Sequence, residues 1–196
     1  MSALNDLLAQ RQYALNAWLS GSTPTGAPRW VGDDGRRLTE ASVATSGVVI
    51  QTAWAAKVAE QDAVFRTARA AAGIVPTVAE LGVEISVEAE RRKDAGTLIN
   101  GIQFRCDDKS LTRLQGMVKR AANAENAGEP FSQKFRTSAG VTVTITTLAQ
   151  AQAIENAAGD FAGFILSRSA ELQESVAAMS AAQRATFNPA DNAHWS

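Results

Sequence analysis

Asn100-Gly101, in the stretch "TLINGIQFRCDDKSLTRL" at residues 97–114, restricts the local chain path more tightly than any other pair in the sequence. A two-residue hairpin turn needs positive φ at both central positions, which asparagine tolerates and glycine adopts freely. The alternation around the turn places Ile102 and Phe104 on one face and Gln103 and Arg105 on the other. Cys106 follows in an apolar setting and reads as a core residue rather than a nucleophile. Asp107-Asp108 then stands where the strand hands over to a helical period through Leu111, Leu114, Val118 and Ala121, over residues 109–127. Paired aspartates here could ligate a metal, form a catalytic dyad or start a helix. The step from Asp107 to Ser110 is the N-cap to N3 interval, so backbone capping accounts for them. A hard cation would need further oxygen ligands, and no EF-hand spacing surrounds them.

A second hairpin follows Pro130. "FSQKFRT" and "VTVTITT" alternate around "SAG", which points Val141, Val143 and Ile145 inward and Thr142, Thr144 and Thr146 outward. Thr147 and Gln150 form a capping-box pattern for a helix from Leu148 to about Met179. Its apolar stripe runs through Ile154, Ala158, Phe161, Ile165, Leu172, Val176 and Met179. Gly159 and Gly163 lie on an adjacent line. Mid-helix glycine costs about 1 kcal/mol against alanine, so the pair is expected to permit close approach of another helix, within or between copies. Upstream, "VEISVEAERRKD" reads as a short exposed helix stopped by Gly96, with Arg91, Arg92 and Lys93 paired to Glu88 and Glu90 on a solvated face. Thr77 to Glu80 is a capping box for a separate short turn after Pro76.

The N-terminal part is of another kind. Residues 3–19 read as a helix with Leu4, Leu8, Leu15 and Trp18 on one seam, suited to docking within the chain or to self-association or insertion into a partner. Residues 20–42 are rich in Gly, Pro, Ser and Thr and carry Trp30, a local anchor or a partner contact. Residues 41–72 repeat apolar positions through Val43, Ile50, Trp54, Val58 and Phe65 as one long helix. The fold class is therefore α+β: two β-hairpins, a small antiparallel sheet, packed with two helices and preceded by N-terminal helices and a linker. The divisions are an attachment helix at 1–20, a linker at 21–40, a long helix and connector at 41–82, the α+β module at 83–180 and a polar C-terminal tail at 181–196.

With 45% apolar residues in 196, a core forms without staples, and the single cysteine fits a reducing compartment. A net charge of -1, with both signs interspersed, argues against nucleic acid as a partner. No apolar run approaches the roughly 18 residues of a membrane span, and "MSALNDLLAQ" is not a signal peptide. The sole histidine, His194, sits in the tail, a poor place for a catalytic base. No phosphate loop, Cys/His metal spacing or nucleophile elbow occurs. No enzyme activity, cofactor or metal is expected.

The ordered features "EAERRKDAG", "LINGIQF", "CDDKSLTRLQG", "FSQKFRT", the Gly turn, the β-branched strand and the long alanine-rich helix are together similar to a known family. From Ile85 to about Val176 the chain resembles a domain of unknown function that recurs in tail and tail-fibre assembly proteins of tailed bacteriophages. Cys106 stands where that family commonly has threonine, and Ala139-Gly140 replaces an Asp-Gly turn. The resemblance implies a structural component of a tail tip or baseplate, or a fibre adaptor, made in the host cytoplasm and kept in the virion. Its partners would be other tail, baseplate or tail-fibre proteins, with copies in a trimer or a multiple of three. An assembly chaperone that leaves before maturation, or a receptor- or carbohydrate-binding module using the four tryptophans, are the alternatives. Leu4, Leu8, Leu15, Trp18, Trp30, Gly159 and Gly163 are the candidate partner-interface residues.

Overall fold

A computed structural model of the chain describes residues 3–21, 38–43, 48–137 and 141–196. Trp30 and most of the 21–40 linker lie outside these residues, as does the tip of the second hairpin. Two compact units result: residues 1–76 with 181–186, and residues 77–180 with 187–196.

In the first unit, α1 (Ala3–Ser20) lies on α3 (Val48–Ala71), with the short α2 (Glu40–Val43) between them in sequence. Apolar residues three and four apart give each helix a stripe, and the stripes meet. Leu19, Leu38 and Val43 form a small core with Trp18, Ile50 and Trp54 against it, and the Trp18 and Trp54 rings sit 5.8 Å apart. Leu15 is fully buried, and Arg11 Nε meets Asp62 Oδ1 at 2.6 Å, so an ion pair occupies the seam position that lacks an apolar side chain. The helix read as an attachment arm is thus docked on its own unit. Leu8 of the same seam is 46% exposed, since Leu38 and Val43 pack at the Leu19 end of α1.

The second unit opens with α4 (Val78–Ala95). Thr77 Oγ1 accepts from the Glu80 backbone N–H at 3.1 Å, and Glu80 Oε2 accepts from the Thr77 N–H at 2.7 Å. This capping box starts the whole helix, not a separate turn, so the unit begins at 77 rather than 83. Nor is the helix merely an exposed charged one. Leu81, Ile85 and Ala89 form a core with Ile165, Leu172 and Val176 of the helix α6 (Leu148–Ala178). Hydrophobic burial against α6 outweighs the charge of the sequence because only one face of α4 needs to be apolar.

Between these helices come β1 (Thr97–Ile99), β2 (Ile102–Phe104), α5 (Asp108–Ala127), β3 (Gln133–Arg136) and β4 (Thr142–Ile145). The strands form two separate antiparallel pairs, β1–β2 and β3–β4. Ile99 pairs with Ile102 across the turn, where Asn100 and Gly101 have φ of 52° and 77°. Phe104, Cys106, Leu114, Met117, Ile145, Ala151 and Ala158 share the core between α5, α6 and the hairpins. Val141 is exposed rather than inward, since it precedes β4 and its pairing. Thr147 caps α6 through the Gln150 N–H, while Gln150 Oε1 reaches back to the Thr146 N–H at 3.0 Å, one residue earlier than a capping box requires. The fold is α+β, with N-terminal helices before it.

The C-terminal tail is not loose. Asn192–Trp195 forms a 3₁₀ turn, and Trp195 joins the Leu81–Ile85–Val176 core at 5% exposure. In the other unit, Arg184 of α7 (Ala181–Thr186) donates to the Pro76 carbonyl at 3.1 Å.

Candidate partner-binding surface

The charged half of α4 is where sequence chemistry concentrates. Spacing of three and four residues brings Arg91 and Arg92 over Glu88, which is 6% exposed. Arg91 donates from both Nε (2.7 Å) and a terminal nitrogen (2.5 Å), and Arg92 Nε donates at 2.7 Å. The free end of Arg92 donates to Asn192 Oδ1 at 2.8 Å, and its guanidinium lies 5.0 Å from the centre of the Trp195 ring. Trp195 Nε1 in turn donates to the Pro189 carbonyl at 2.8 Å. Arg92 therefore clasps the tail to α4 through hydrogen bonds and a cation–π contact. The neighbouring Arg168 donates to the His194 carbonyl at 3.0 Å, and the His194 ring stacks on Phe187 at 4.8 Å.

Lys93 is buried, with Nζ at 3.0 Å from Glu90 and 3.2 Å from Asp108. Burial pulls its pKa down, but those two carboxylates outweigh burial and leave it raised. The Arg91 pKa is raised by its hydrogen bonds to Glu88, which overcome desolvation. The pairing of the basic trio with Glu88 and Glu90 is as read from spacing. The solvated face is not, because Glu88 and Lys93 are buried, Arg92 ties the η1 turn (Asn192–Trp195) to α4, and Lys93 meets Asp108 of α5. With these charges neutralised inside the unit, the cluster is a joint rather than an anion site.

Asp107 is the N-cap of α5. Its Oδ1 accepts from the Ser110 N–H at 3.0 Å and its Oδ2 from the Ser110 hydroxyl at 2.7 Å. Burial raises the carboxyl pKa, but the Ser110 hydrogen bonds and the Arg105 charge at 3.2 Å prevail and hold it below the ordinary carboxylate value. Asp108 serves Lys93 instead. Burial pushes the Cys106 thiol up, so it is protonated at neutral pH and unsuited to nucleophilic attack. Among the described residues, no group of three His, Cys, Asp or Glu side chains could hold a metal ion. No helix of the described residues is long and apolar enough to cross a membrane.

The remaining candidates divide. Leu15 and Trp18 are spent on contacts inside the first unit, and Leu4 is half-buried. Gly159 and Gly163 are exposed, and a Cβ built on either would meet nothing within 4 Å. Among the described residues no helix approaches them that closely, so the intrachain half of the close-approach reading is corrected. The two glycines stand instead on an open face of α6. On the same line, at helical steps of three and four, follow Leu166, Ala170, Gln173 and Ala177, all exposed. Gln173 borders a shallow groove of about 500 Å³ whose other wall is α4, through Val78, Gly82, Val83, Ser86 and Val87. Val83 and Val87 are 65% and 63% exposed, and Leu166 is 52% exposed. Sequence reading missed this surface because the charges of α4 masked the Ala79–Val83–Val87 line, whose four-residue steps were the available signal.

A capped helix pair packed with two hairpins defines an α+β module. A family model described as a domain of unknown function (DUF4376) matches residues 77–192, and the chain belongs to that family. The match begins at the capping threonine of α4 and ends within the docked tail turn, so it follows the second structural unit. No curated protein and no solved structure matches the chain.

Proposed function

We propose that the protein is a structural component of a bacteriophage tail tip or baseplate, or an adaptor for tail fibres, and works by protein–protein assembly rather than by catalysis. The observation that carries this reading is the open apolar face of α4 and α6, on a unit whose buried cations are all committed to internal carboxylates. Isolated exposed apolar residues need no explanation, but a contiguous groove of them is what an assembly contact uses. The resemblance of residues 85–176 to phage tail proteins supplies the setting. Copies repeat around the tail axis, in a trimer or a multiple of three, since closed symmetry reuses one contact. Mass spectrometry of gradient-purified particles tests the reading. A fixed copy number in mature virions is expected. Abundance in infected lysate with absence from particles overturns it in favour of an assembly chaperone.

A further inference from the structure

We propose that the C-terminal segment from Phe187 to Ser196 is an exchangeable ligand, and that the α4–α6 socket it fills also takes the same segment from a second copy. This deepens the assembly reading by naming a contact between copies, and rests on that reading only for bringing copies together. The occupant of the socket is visible. Trp195 is 5% exposed and packs with Leu81, Ile85, Ile165 and Val176 of the two helices. The polar recognition around it comes from two arginines. A terminal nitrogen of Arg92 donates to the Ala190 carbonyl at 3.3 Å and to Asn192 Oδ1 at 2.8 Å, and its guanidinium lies over the Trp195 ring. Arg168 Nε donates to the His194 carbonyl at 3.0 Å. Carboxylates of the same helices, Glu88 and Glu171, hold both arginines in place. One buried aromatic anchor ringed by such hydrogen bonds is how a short segment is bound.

The segment has the build of a ligand because it is folded upon itself. The Trp195 indole donates to the Pro189 carbonyl at 2.8 Å, Asp191 Oδ1 accepts from the Ala193 N–H at 3.0 Å, and Asn188 Oδ1 accepts from the Ala190 N–H at 3.2 Å. The Phe187 and His194 rings stack at 4.8 Å. A segment that holds its own shape loses less conformational freedom on docking, whichever copy provides the socket. Nor does it continue α6. Residues 181–186 intervene, and they group with the first unit while the segment groups with the second. Exchange replaces every contact by its equivalent from another copy, so it costs only the change in the joining residues and the loss of the tether's effective concentration. In dilute solution the tether favours the chain's own tail. Copies held side by side in an assembly restore the lost concentration, and a tail passed from each copy to the next closes a ring.

Full-length Trp195→Ala keeps the socket and loses the anchor of its own tail. A fluorescein-labelled peptide of residues 187–196 should bind it at least about tenfold more tightly than it binds the unsubstituted chain, whose tail competes in cis. The same peptide carrying Trp195→Ala should bind neither chain. The tryptophan peptide should also raise the melting temperature of the variant chain, which reads binding even where the variant is marginally stable. Exchange between copies is read by sedimentation. Labelled full-length Arg92→Ala, with an intact tail and a weakened socket, should co-sediment with unlabelled Trp195→Ala. It should not do so with the double variant Arg92→Ala/Trp195→Ala, which lacks a sound socket as well. Equal binding of the peptide to both chains, binding without the tryptophan, or no binding and no rise in melting temperature overturns the proposal. So does equal co-sedimentation in the two mixtures. The virion measurement is independent. A chain missing from particles whose tails exchange refutes the tail-component reading alone, and a chain present in particles whose tails do not exchange refutes the exchange alone.

Discussion

Replacing Trp195 by alanine should loosen α4 and α6, although the residue is one from the end of the sequence. The side chain is 5% exposed and packs with Leu81, Ile85, Ile165 and Val176. A tryptophan buries about 150–250 Å², which at about 25 cal/mol/Å² is worth about 4–6 kcal/mol as an upper bound. The variant also loses the Arg92 cation–π contact at 5.0 Å and the indole hydrogen bond to the Pro189 carbonyl. Against this, the freed tail regains conformational entropy, which limits the loss to the tail's own docking free energy. A net destabilisation of about 2–4 kcal/mol is expected, at or slightly below the usual range for tryptophan truncation. Hydrogen exchange by mass spectrometry of the full chain reads it locally, and α4 amides should lose protection by about 30- to 700-fold. Trp195→Phe keeps the apolar fill but not the donor, and should cost only about 1 kcal/mol. A change below about threefold in the alanine variant would refute the view that the tail is part of the core.

Gly96→Ala should be strongly destabilising in thermal melts, because φ is 73° there and a Cβ would lie 1.8 Å from the Phe104 carbonyl oxygen; an unchanged melting temperature would mean that the turn after α4 can rearrange freely. Asp107→Ala should cost about 0.5–2 kcal/mol in urea unfolding. The folded Asp107 pKa lies below its unfolded value, so its contribution is present above the unfolded pKa and is lost as pH falls through the folded one; the alanine variant should show a weaker acid dependence across that window. Divalent cations should leave the melting temperature of the unsubstituted protein unchanged, and a rise of several degrees would contradict the capping role. Cys106, buried with a raised thiol pKa, should react with a thiol reagent at neutral pH only as fast as the protein opens, so labelling as fast as in urea would contradict its place in the core.

What was legible in the sequence is what neighbouring residues settle among themselves. The Asn100-Gly101 turn, the Asp107 and Thr147 caps and the stripe of α6 each depend on contacts within a few residues, and local spacing prescribes those contacts. Periodicity likewise found the stripe of α1, yet it could not say which end the chain itself would cover: Leu15 and Leu19 are buried and Leu8 is exposed. The polar appearance of α4 and the tail misled for the same reason. Glu88 and Lys93 are buried by groups that arrive from elsewhere, Asp108 from beyond a hairpin and the Trp195 turn with Asn192, at a sequence separation of 100 from Arg92. Gly159 and Gly163 show the converse: their spacing implies a close neighbour, and only tertiary structure shows that none of the described residues provides one. A sequence states which face of an element is apolar, but what lies against that face depends on chain closure over long separations, where packing and not propensity decides.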